Sequence, residues 1–258
     1  MKLILRNLLR RKLRTVLTVG GIVIGVFALT VMGAMSEKLS LLVKGGEDYY
    51  GTKVLVVDGQ SSAFFGGAPL TMDKRAELEK VDGVTYVSAD VSLLLDDETG
   101  ATFGTPAMIV SYDPAAEPYE SFELNTATGR FITAEDRNKT VLGADLADTL
   151  KTDVGQTIKL RERDFEVVGI LEKTLTAPDN TAIVSLADAQ EFVHSTLPDA
   201  FKESLPSEKV VSSFAVYLDD IDQGEAVAER INDQVEGVKR TARPFSKSKS
   251  AKAWQFSI

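Results

Sequence analysis

The side chains that most often perform catalysis are scarce in this sequence. It has one histidine, His194, and no cysteine among its 258 residues. A histidine triad, a zinc site and a cysteine nucleophile each need further side chains of these types, so the sequence argues against all three. Because no second histidine or cysteine is present to form a site with it, His194 is predicted to be a solvated side chain in a loop.

Other patterns that would indicate a cofactor are also missing. No GxxxxGK[ST] sequence is present, so we predict no ATP site in this chain. Asp96, Asp97 and Glu98 are adjacent carboxylates, but they lack the spacing of a calcium-binding EF-hand and are better explained as a charged turn. The sequence therefore predicts no catalytic, cofactor or metal site and favours a protein that is not an enzyme. A membrane-tethered hydrolase is the alternative that this shortage disfavours.

Charge is distributed unevenly along the chain. The net charge is −9, yet residues 1–14 and 239–258 contain basic residues and no acidic ones. The region between them is therefore strongly acidic and would repel the phosphates of a nucleic acid. We expect no nucleic-acid partner for the body of the protein.

An uncharged segment at residues 15–36 predicts a transmembrane helix. A helix of this length rises about 30 Å, the thickness of the hydrocarbon core of a bilayer. Basic residues precede it and acidic residues follow it, so the positive-inside rule places the N-terminus in the cytoplasm and the main domain outside. The alternative of a cleaved signal peptide is disfavoured, since the apolar segment is too long and residues 33–36 form a poor cleavage site.

The regions flanking this helix also have predicted roles. Residues 1–14 are predicted to form an amphipathic cytoplasmic leader on the inner membrane surface. Gly21 and Gly25 form a small-xxx-small pair that would let another helix approach, although glycine is frequent in such helices anyway. Residues 37–50 are predicted as a helical extension and linker, with Gly45 and Gly46 ending the helix. The basic side chains of the leader are Arg6, Arg10, Arg11, Lys12 and Arg14.

Two similar strand-helix-strand units are predicted beyond the linker. Each helix ends in a tetrapeptide whose glycine, Gly83 or Gly237, suits the left-handed conformation, and Asp222 is expected to cap the second helix. A duplicated half-domain is one explanation, and convergence of helix-to-strand junctions is the other. Together, residues 51–95 and 210–244 are predicted to form a repeat-built, porter-like subdomain. The predicted strands are 53–58, 84–95, 212–218 and 238–242, and the predicted helices are 72–80 and 222–234.

The segment 96–209 is predicted to be an inserted β-rich subdomain. Turn-forming residues predict its hairpins, and short apolar periods predict its helices. The fold class is therefore α+β, with one transmembrane helix and an extracytoplasmic domain. The predicted hairpin turns are 97–100 and 161–164, the short helices are 134–137 (capped by Thr133), 144–150 and 186–193, and the mobile surface loops are 60–69 and 194–209.

An ordered succession of structural motifs runs along the chain. It begins at Asn7-Leu8, covers the membrane helix and continues in the inserted segment at Gly129, Arg130, Phe131, Gly143, Gly155 and Gly169. In this succession the chain resembles a known family, the MacB/FtsX-like permeases of ATP-binding cassette (ABC) transporters.

The resemblance implies a permease subunit whose extracytoplasmic domain is moved by a separate ATPase, which would bind the ATP. It implies export or extraction of an amphiphilic cargo, or action on an envelope partner, with a homodimer or a second permease chain. The family has three further transmembrane helices, whereas here a basic tail at 245–258 leads to where the second helix would begin. This departure is expected of either a fragment or a half-permease. A single-span binding or sensor module without transport activity is the alternative function.

Overall fold

The computed structural model describes residues 12–50, 53–59, 69–96, 106–120 and 122–240, and the statements below concern these residues. The chain divides into two compact units, Met1–Lys44 and Gly45–Ile258, which we describe separately. The predicted leader residues Arg6, Arg10 and Arg11 lie outside the described part. So do residues 60–68 of the mobile loop predicted at 60–69, the hairpin turn predicted at 97–100 and the basic tail predicted at 245–258.

Helix α1 extends from Lys12 to Tyr50. Within it, Val16–Glu37 is long and apolar enough to cross a membrane, and it is the one such helix in the described part of the chain. Thr18 and Thr30 donate their hydroxyl hydrogens to the carbonyls of Arg14 and Val26, both at 2.9 Å, so neither hydroxyl needs water. The helix continues through Gly45 and Gly46, so the prediction that these residues end it is wrong.

The first sheet has four antiparallel strands in the order β13-β1-β12-β3. Each of the two strand-helix-strand units contributes two strands. Their first strands, β1 and β12, pair in the centre of the sheet. The second strand of each unit, β3 or β13, lies beside the first strand of the other unit. This order is that of a split β-α-β fold. The strands are β1 (Lys53–Asp58), β3 (Val84–Asp90), β12 (Ser213–Leu218) and β13 (Val238–Arg240), and the helices between them are α2 (Asp73–Leu78) and α6 (Gly224–Gln234).

One face of this sheet forms a core with the two helices. Alternation along β1 and β12 turns Val54, Val56 and Phe214 toward the helices, and Ile231 of α6 is buried against them. Burying branched and aromatic side chains of this size stabilises the fold by about 1.5–3 kcal/mol each. The opposite face displays Lys53, Tyr217 and other polar or aromatic side chains. The two faces are therefore chemically distinct.

The second sheet is mixed and has the order β4-β5-β10-β7-β9-β6, with β8 also paired to β9. Strand β10 is parallel to β5 and antiparallel to β7, and β7 is parallel to β9. A small sheet of β2 (Leu70–Thr71) and β11 (Val210–Val211) completes the pairing among the described residues. The second sheet contains β4 (Ser92–Leu94), β5 (Met108–Tyr112), β6 (Thr126–Gly129), β7 (Lys139–Leu142), β8 (Thr157–Leu160), β9 (Arg163–Leu171) and β10 (Thr181–Ser185).

Short helices cover and connect the second sheet. Helix α3 (Ala144–Leu150) buries Leu146, and α4 (Leu186–Thr196) buries Phe192 against Phe165 of β9, with ring centroids 5.6 Å apart. The remaining segments are α5 (Asp199–Lys202) and four 3-10 helices, η1 (Pro114–Tyr119), η2 (Ala177–Asn180), η3 (Ser207–Lys209) and η4 (Ile221–Gln223).

Several predicted elements are confirmed by the structure. Strand β1 and helix α3 have the predicted bounds. Gly83 and Gly237 both have left-handed backbone conformations, with φ of 91° and 79°, which closes each helix before a strand. The hairpin between β8 and β9 also forms, although Arg163 and Asp164 belong to β9 and the turn is shorter than predicted.

Four local predictions are wrong. The strand predicted at 84–95 ends at Asp90, and Ser92–Leu94 enters the second sheet. Asp222 lies in η4, and the following helix begins after Gln223 with no side-chain cap. Residues 134–137 do not form the predicted helix, and Ala134 and Glu135 form a turn. The loop predicted at 194–209 contains the end of α4 as well as α5 and η3.

Candidate functional site

The described part of the chain contains no group of three or more histidine, cysteine, aspartate and glutamate side chains placed to hold a metal ion. His194 lies in α4 instead of the predicted loop, and its Nε2 atom is 3.0 Å from the carbonyl oxygen of Leu205. This contact connects the end of α4 to the segment that follows α5. The position of His194 is therefore explained by a structural contact.

Three of the family-motif glycines lie where two backbones meet. A Cβ atom on Gly143 would lie 2.1 Å from the carbonyl oxygen of Pro178, and one on Gly169 would lie 2.2 Å from that of Arg130. Gly129 ends β6 and pairs directly with Gly169 of β9. No residue with a side chain fits these approaches without a backbone shift. The glycines thus let β6, β9 and the loop before β10 pack closely.

The carboxylate of Asp136 lies next to this contact and is surrounded by hydrogen-bond donors. We name this set of four residues the Asp136 cluster: Arg130, Thr133, Asp136 and Lys139. The Arg130 guanidinium donates to both carboxylate oxygens of Asp136, at 2.7 and 2.9 Å. Thr133 adds its backbone N–H at 2.9 Å and its hydroxyl at 3.1 Å. The Lys139 ammonium is 3.2 Å away. These donors, Arg130 first, hold the pKa of Asp136 well below its usual range despite its burial.

The other two motif residues have different surroundings. Phe131 packs its ring edge-to-face against Tyr112, with centroids 4.7 Å apart. Gly155 has a φ of 88° before β8, and open space surrounds the position that a Cβ atom would occupy. The structure thus gathers Gly129, Arg130 and Gly169 at one contact and leaves Gly155 apart from it. A shared family role for all six positions stays a prediction.

A second polar set, whose members no sequence pattern grouped, lies on the face of the first sheet opposite its helices. We name it the Lys53 cluster: Lys53, Asp90, Asp113 and Glu120. Lys53 begins β1 and Asp90 ends β3, whereas Asp113 and Glu120 flank η1. The Lys53 ammonium is 2.5 Å from Oε1 of Glu120, and its side chain is only 8% exposed.

Tyrosine and serine side chains complete the contacts of this cluster. The Tyr217 hydroxyl donates to Oε1 of Glu120 at 2.5 Å. Tyr86 and Ser88 of β3 donate their hydroxyl hydrogens to Oδ2 of Asp113, at 2.8 and 3.1 Å. Ser88 is also 3.3 Å from a carboxylate oxygen of Asp90. The two ends of η1 are thereby bound to three strands of the first sheet, β1, β12 and β3.

Electrostatics in the Lys53 cluster differ from those in the Asp136 cluster. Three carboxylates share one ammonium, and Oε2 of Glu120 is buried without a hydrogen-bond partner. Burial, opposed by Lys53 and reinforced by Glu120 and Asp113, raises the pKa of Asp90 to about 6. Burial and the neighbouring Asp113 raise the pKa of Tyr86 to about 12, so Tyr86 stays a hydrogen-bond donor.

A cleft of about 230 Å³ opens beside the start of η1. Tyr112 and Asp113 line one side, and Leu186 and Gln190 of α4 line another. Asp113 is already bound by Tyr86 and Ser88, and Gln190 donates to the carbonyl of Glu208 at 2.9 Å. These two polar groups are therefore already engaged within the protein.

Four of the predicted membrane-associated residues, Lys12, Arg14, Gly21 and Gly25, lie in α1. Lys12 begins the described helix, and Arg14 is exposed. Gly21 and Gly25 have no atoms within 4 Å of the position a Cβ would take, so the small-residue surface has no neighbour among the described residues. The helix-packing role of Gly21 and Gly25 and the membrane-surface role of the leader stay predictions.

The described residues form an apolar helix followed by a mixed α+β domain, and comparison with known proteins agrees with this architecture. The sequence model of the MacB-like periplasmic core domain matches residues 15–234. The chain belongs to this family, which is a component of ABC-transporter permeases and is generally not catalytic. Membrane association and an extracytoplasmic domain follow from this membership together with the candidate membrane helix.

Two solved structures are similar to this chain. One is the extracellular domain of the noncanonic ABC-type transporter YknZ from Gram-positive bacteria, with 17% identity, a TM-score of 0.44, and coverage of 74% of this chain and 100% of that one. The other is the periplasmic region of MacB from Actinobacillus actinomycetemcomitans, with 12% identity, a TM-score of 0.48, and coverage of 82% and 96%. No match was found among curated proteins.

Proposed function

We propose that this chain is a permease subunit, or the N-terminal part of one, in an ABC transporter of the MacB/FtsX-like class. A separate ATPase binds and hydrolyses ATP, and the resulting movement acts through the extracytoplasmic domain. The cargo is amphiphilic and is exported or extracted, or the domain acts on an envelope partner. The supporting observation is the family match over residues 15–234, which includes both the candidate membrane helix and the domain.

The chemistry of the described residues agrees with a mechanical role. The family-motif glycines and the Asp136 cluster serve backbone packing, and the Lys53 cluster joins η1 to the first sheet. None of these groups is arranged as a nucleophile with an adjacent base. Work performed on a cargo would therefore come from movement powered elsewhere.

The first test is whether the chain associates with an ATPase. Tagged full-length chain is purified from native membranes in a mild detergent, and the co-purified proteins are identified by mass spectrometry. We expect an ABC ATPase, together with a second copy or another permease chain. A chain that co-purifies with neither would contradict the transport role and favour a single-span binding or sensor module.

The second test concerns topology, with the N-terminus in the cytoplasm and the domain outside. Because the chain has no cysteine, single cysteines can be introduced without background. Glu135 is exposed in the domain, and Lys2 lies in the leader. A membrane-impermeant maleimide should label E135C in intact cells and K2C only after permeabilisation. The opposite pattern would overturn the proposed orientation.

A further inference from the structure

The contact between η1 and the first sheet joins the two sheets of the domain. η1 follows β5 and precedes β6, which both belong to the second sheet. Yet η1 lies on the face of the first sheet that α2 and α6 leave free, with Ala116 buried against Ala215 and Tyr217. Movement of one sheet against the other would therefore act on this contact.

The apolar part of the contact is small. Ala116 is the one described residue of η1 in the buried cluster, and the Tyr119 ring stacks on Tyr86 with centroids 4.8 Å apart while remaining 39% exposed. The stronger bonds are polar and lie at the ends of η1, where Asp113 and Glu120 bind Tyr86, Ser88, Lys53 and Tyr217. Since polar bonds dominate, the strength of the contact depends on the charges of these groups.

Charge in this contact is unbalanced. Asp90, Asp113 and Glu120 approach from β3 and from both ends of η1, whereas Lys53 of β1 is the cation paired with Glu120. Arg75 of α2 lies over the Tyr86 ring at 5.4 Å, but its guanidinium is paired with Glu79 at 2.9 Å. Tyr86 and Tyr217 are neutral donors. One added proton would bring the three carboxylates closer to balance with Lys53.

We propose that the Lys53 cluster is a proton-sensitive latch, which holds η1 on the first sheet more tightly in a mildly acidic medium than in a neutral one. This inference rests on the described domain and does not depend on the proposed transport role. Asp90 is the group that takes up the proton. It lies on the same face of β3 as Tyr86 and Ser88, and the Ser88 Oγ atom is 3.3 Å from its Oδ1 and 3.1 Å from Oδ2 of Asp113 at the start of η1. Burial raises the pKa of Asp90 to about 6.

The sign of the effect follows from linkage. A carboxyl group whose pKa is raised in the closed state binds protons more strongly there than when exposed, so lowering the pH favours closure. Between pH 7.5 and pH 5.0, a closed-state pKa of about 6 and an ordinary exposed value of 3.8 predict a closing equilibrium that rises about tenfold. Most of the increase in the closing equilibrium constant falls between about pH 6.5 and about pH 4, that is, between the two pKa values.

The test measures hydrogen exchange on the full chain in detergent micelles at both pH values, corrected for the intrinsic pH dependence of exchange. The peptide of interest covers residues 113–120, where the N–H groups of Ala116 and Glu120 are hydrogen-bonded within η1. We expect about tenfold greater protection at pH 5.0 than at pH 7.5. A reference peptide from β10 should change less than about twofold.

Three variants separate the latch from a general effect of acid. D90N should be well protected at both pH values, and D233N, which removes an exposed carboxylate on α6, should keep the wild-type response. E120Q keeps an acceptor but removes one negative charge, so its response should shift to lower pH and remain measurable if D90N does not fold. Protection that is independent of pH in the wild type, or a response that persists in folded D90N or is unshifted in E120Q, would overturn the proposal.

Discussion

Two carboxylates in this domain have opposite environments. Asp136, beside the second sheet, receives a bidentate guanidinium, a nearby ammonium, a backbone N–H and a hydroxyl. Asp90, on the first sheet, lies 3.3 Å from the Ser88 hydroxyl, whose hydrogen is donated to Asp113, and it is near Lys53 and two other carboxylates. The pKa is lowered in the first case and raised in the second.

This one chain therefore combines a contact whose charge is fixed, at Asp136, with a contact whose charge changes with pH, at Asp90. A carboxylate with all its acceptor positions filled keeps its charge and geometry over the whole range of ordinary pH. A carboxylate in excess of its cations changes charge when the medium changes modestly. The first type stands beside the glycine contacts that hold β6 and β9 together. The second stands where η1 bridges the two sheets.

The largest expected effect concerns the fixed contact and uses G143A. Its Cβ would meet the backbone of Pro178 at 2.1 Å and that of Asp179 at 2.4 Å, so a backbone must shift. We expect the free energy of unfolding to fall by about 3 kcal/mol or more. G155A is the matched control, since it has open space and should lose only about 1 kcal/mol for its left-handed conformation. Pulse proteolysis in urea measures both, and equal losses would contradict the close-packing explanation.

The next effect removes the cation of the adjustable contact. K53M leaves Glu120, Asp90 and Asp113 without the buried ammonium and should lower the free energy of unfolding by about 2–3 kcal/mol at pH 7.5. The double variant K53M/D90N should recover about 1 kcal/mol, because it removes one of the uncompensated charges. The same urea experiment measures both proteins. If D90N worsens K53M, the carboxylates are not repelling one another.

A smaller loss is expected for D136N. The amide keeps one acceptor oxygen for Thr133 but loses the ion pairs with Arg130 and Lys139. Since the Arg130 side chain is 47% exposed, solvent reduces the loss to about 1–2 kcal/mol. D148N, which changes an exposed carboxylate on α3, serves as control and should stay within about 0.5 kcal/mol of the wild type. A D136N protein as stable as D148N would mean that the Asp136 cluster is not a strong contact.

The smallest effect is the pH profile of stability, which the two carboxylates shape in opposite directions. The raised pKa of Asp90 makes its charge unfavourable above about pH 6, so stability should rise by about 1 kcal/mol as the pH falls from 7.5 to 5. The lowered pKa of Asp136 contributes stability above about pH 4, which is lost as the pH falls further toward the folded-state value. Urea unfolding across pH 3 to 8 should show a maximum at about pH 4.

The D90N and D136N variants show which carboxyl group controls each part of the pH profile of stability. D90N should flatten the limb between pH 5 and pH 7.5, whereas D136N should weaken the fall below pH 4. A profile in which each substitution flattens the other limb would reverse the assignment. An unchanged profile in both variants would show that other carboxyl groups control acid stability.

Much of the fold follows from local pattern. The bounds of β1 and α3, and the span of the membrane helix, agree with predictions from periodicity and length. The break at Val91 was missed because the β-branched sequence around it gives no local signal. Val91 is instead fixed by Ser111 of β5, whose hydroxyl oxygen accepts the Val91 N–H at 2.9 Å. The prolines at 198 and 206 suggested a loop, yet they stand just before short helices, where proline costs no hydrogen bond.

The candidate site was less predictable than the fold. Gly129, Arg130 and Gly169 were identified through the family resemblance, but the partner of Arg130, Asp136, was not. The Lys53 cluster was missed entirely, because its members are far apart in sequence and meet only when β1, β3 and the η1 segment come together. The one available signal was a charged residue in a strand, as with Lys53 at the start of β1, where the next four residues are apolar.

The central position of β1 in the first sheet has a consequence for biogenesis. Its two neighbours, β12 and β13, are made long after it, whereas every strand of the second sheet lies between Ser92 and Ser185. During synthesis and translocation from the N-terminus, the second sheet can close while β1 still lacks both partners. Until residues beyond 213 emerge, β1 presents two unpaired edges, and the nascent chain is most open to mispairing or chaperone capture at that strand.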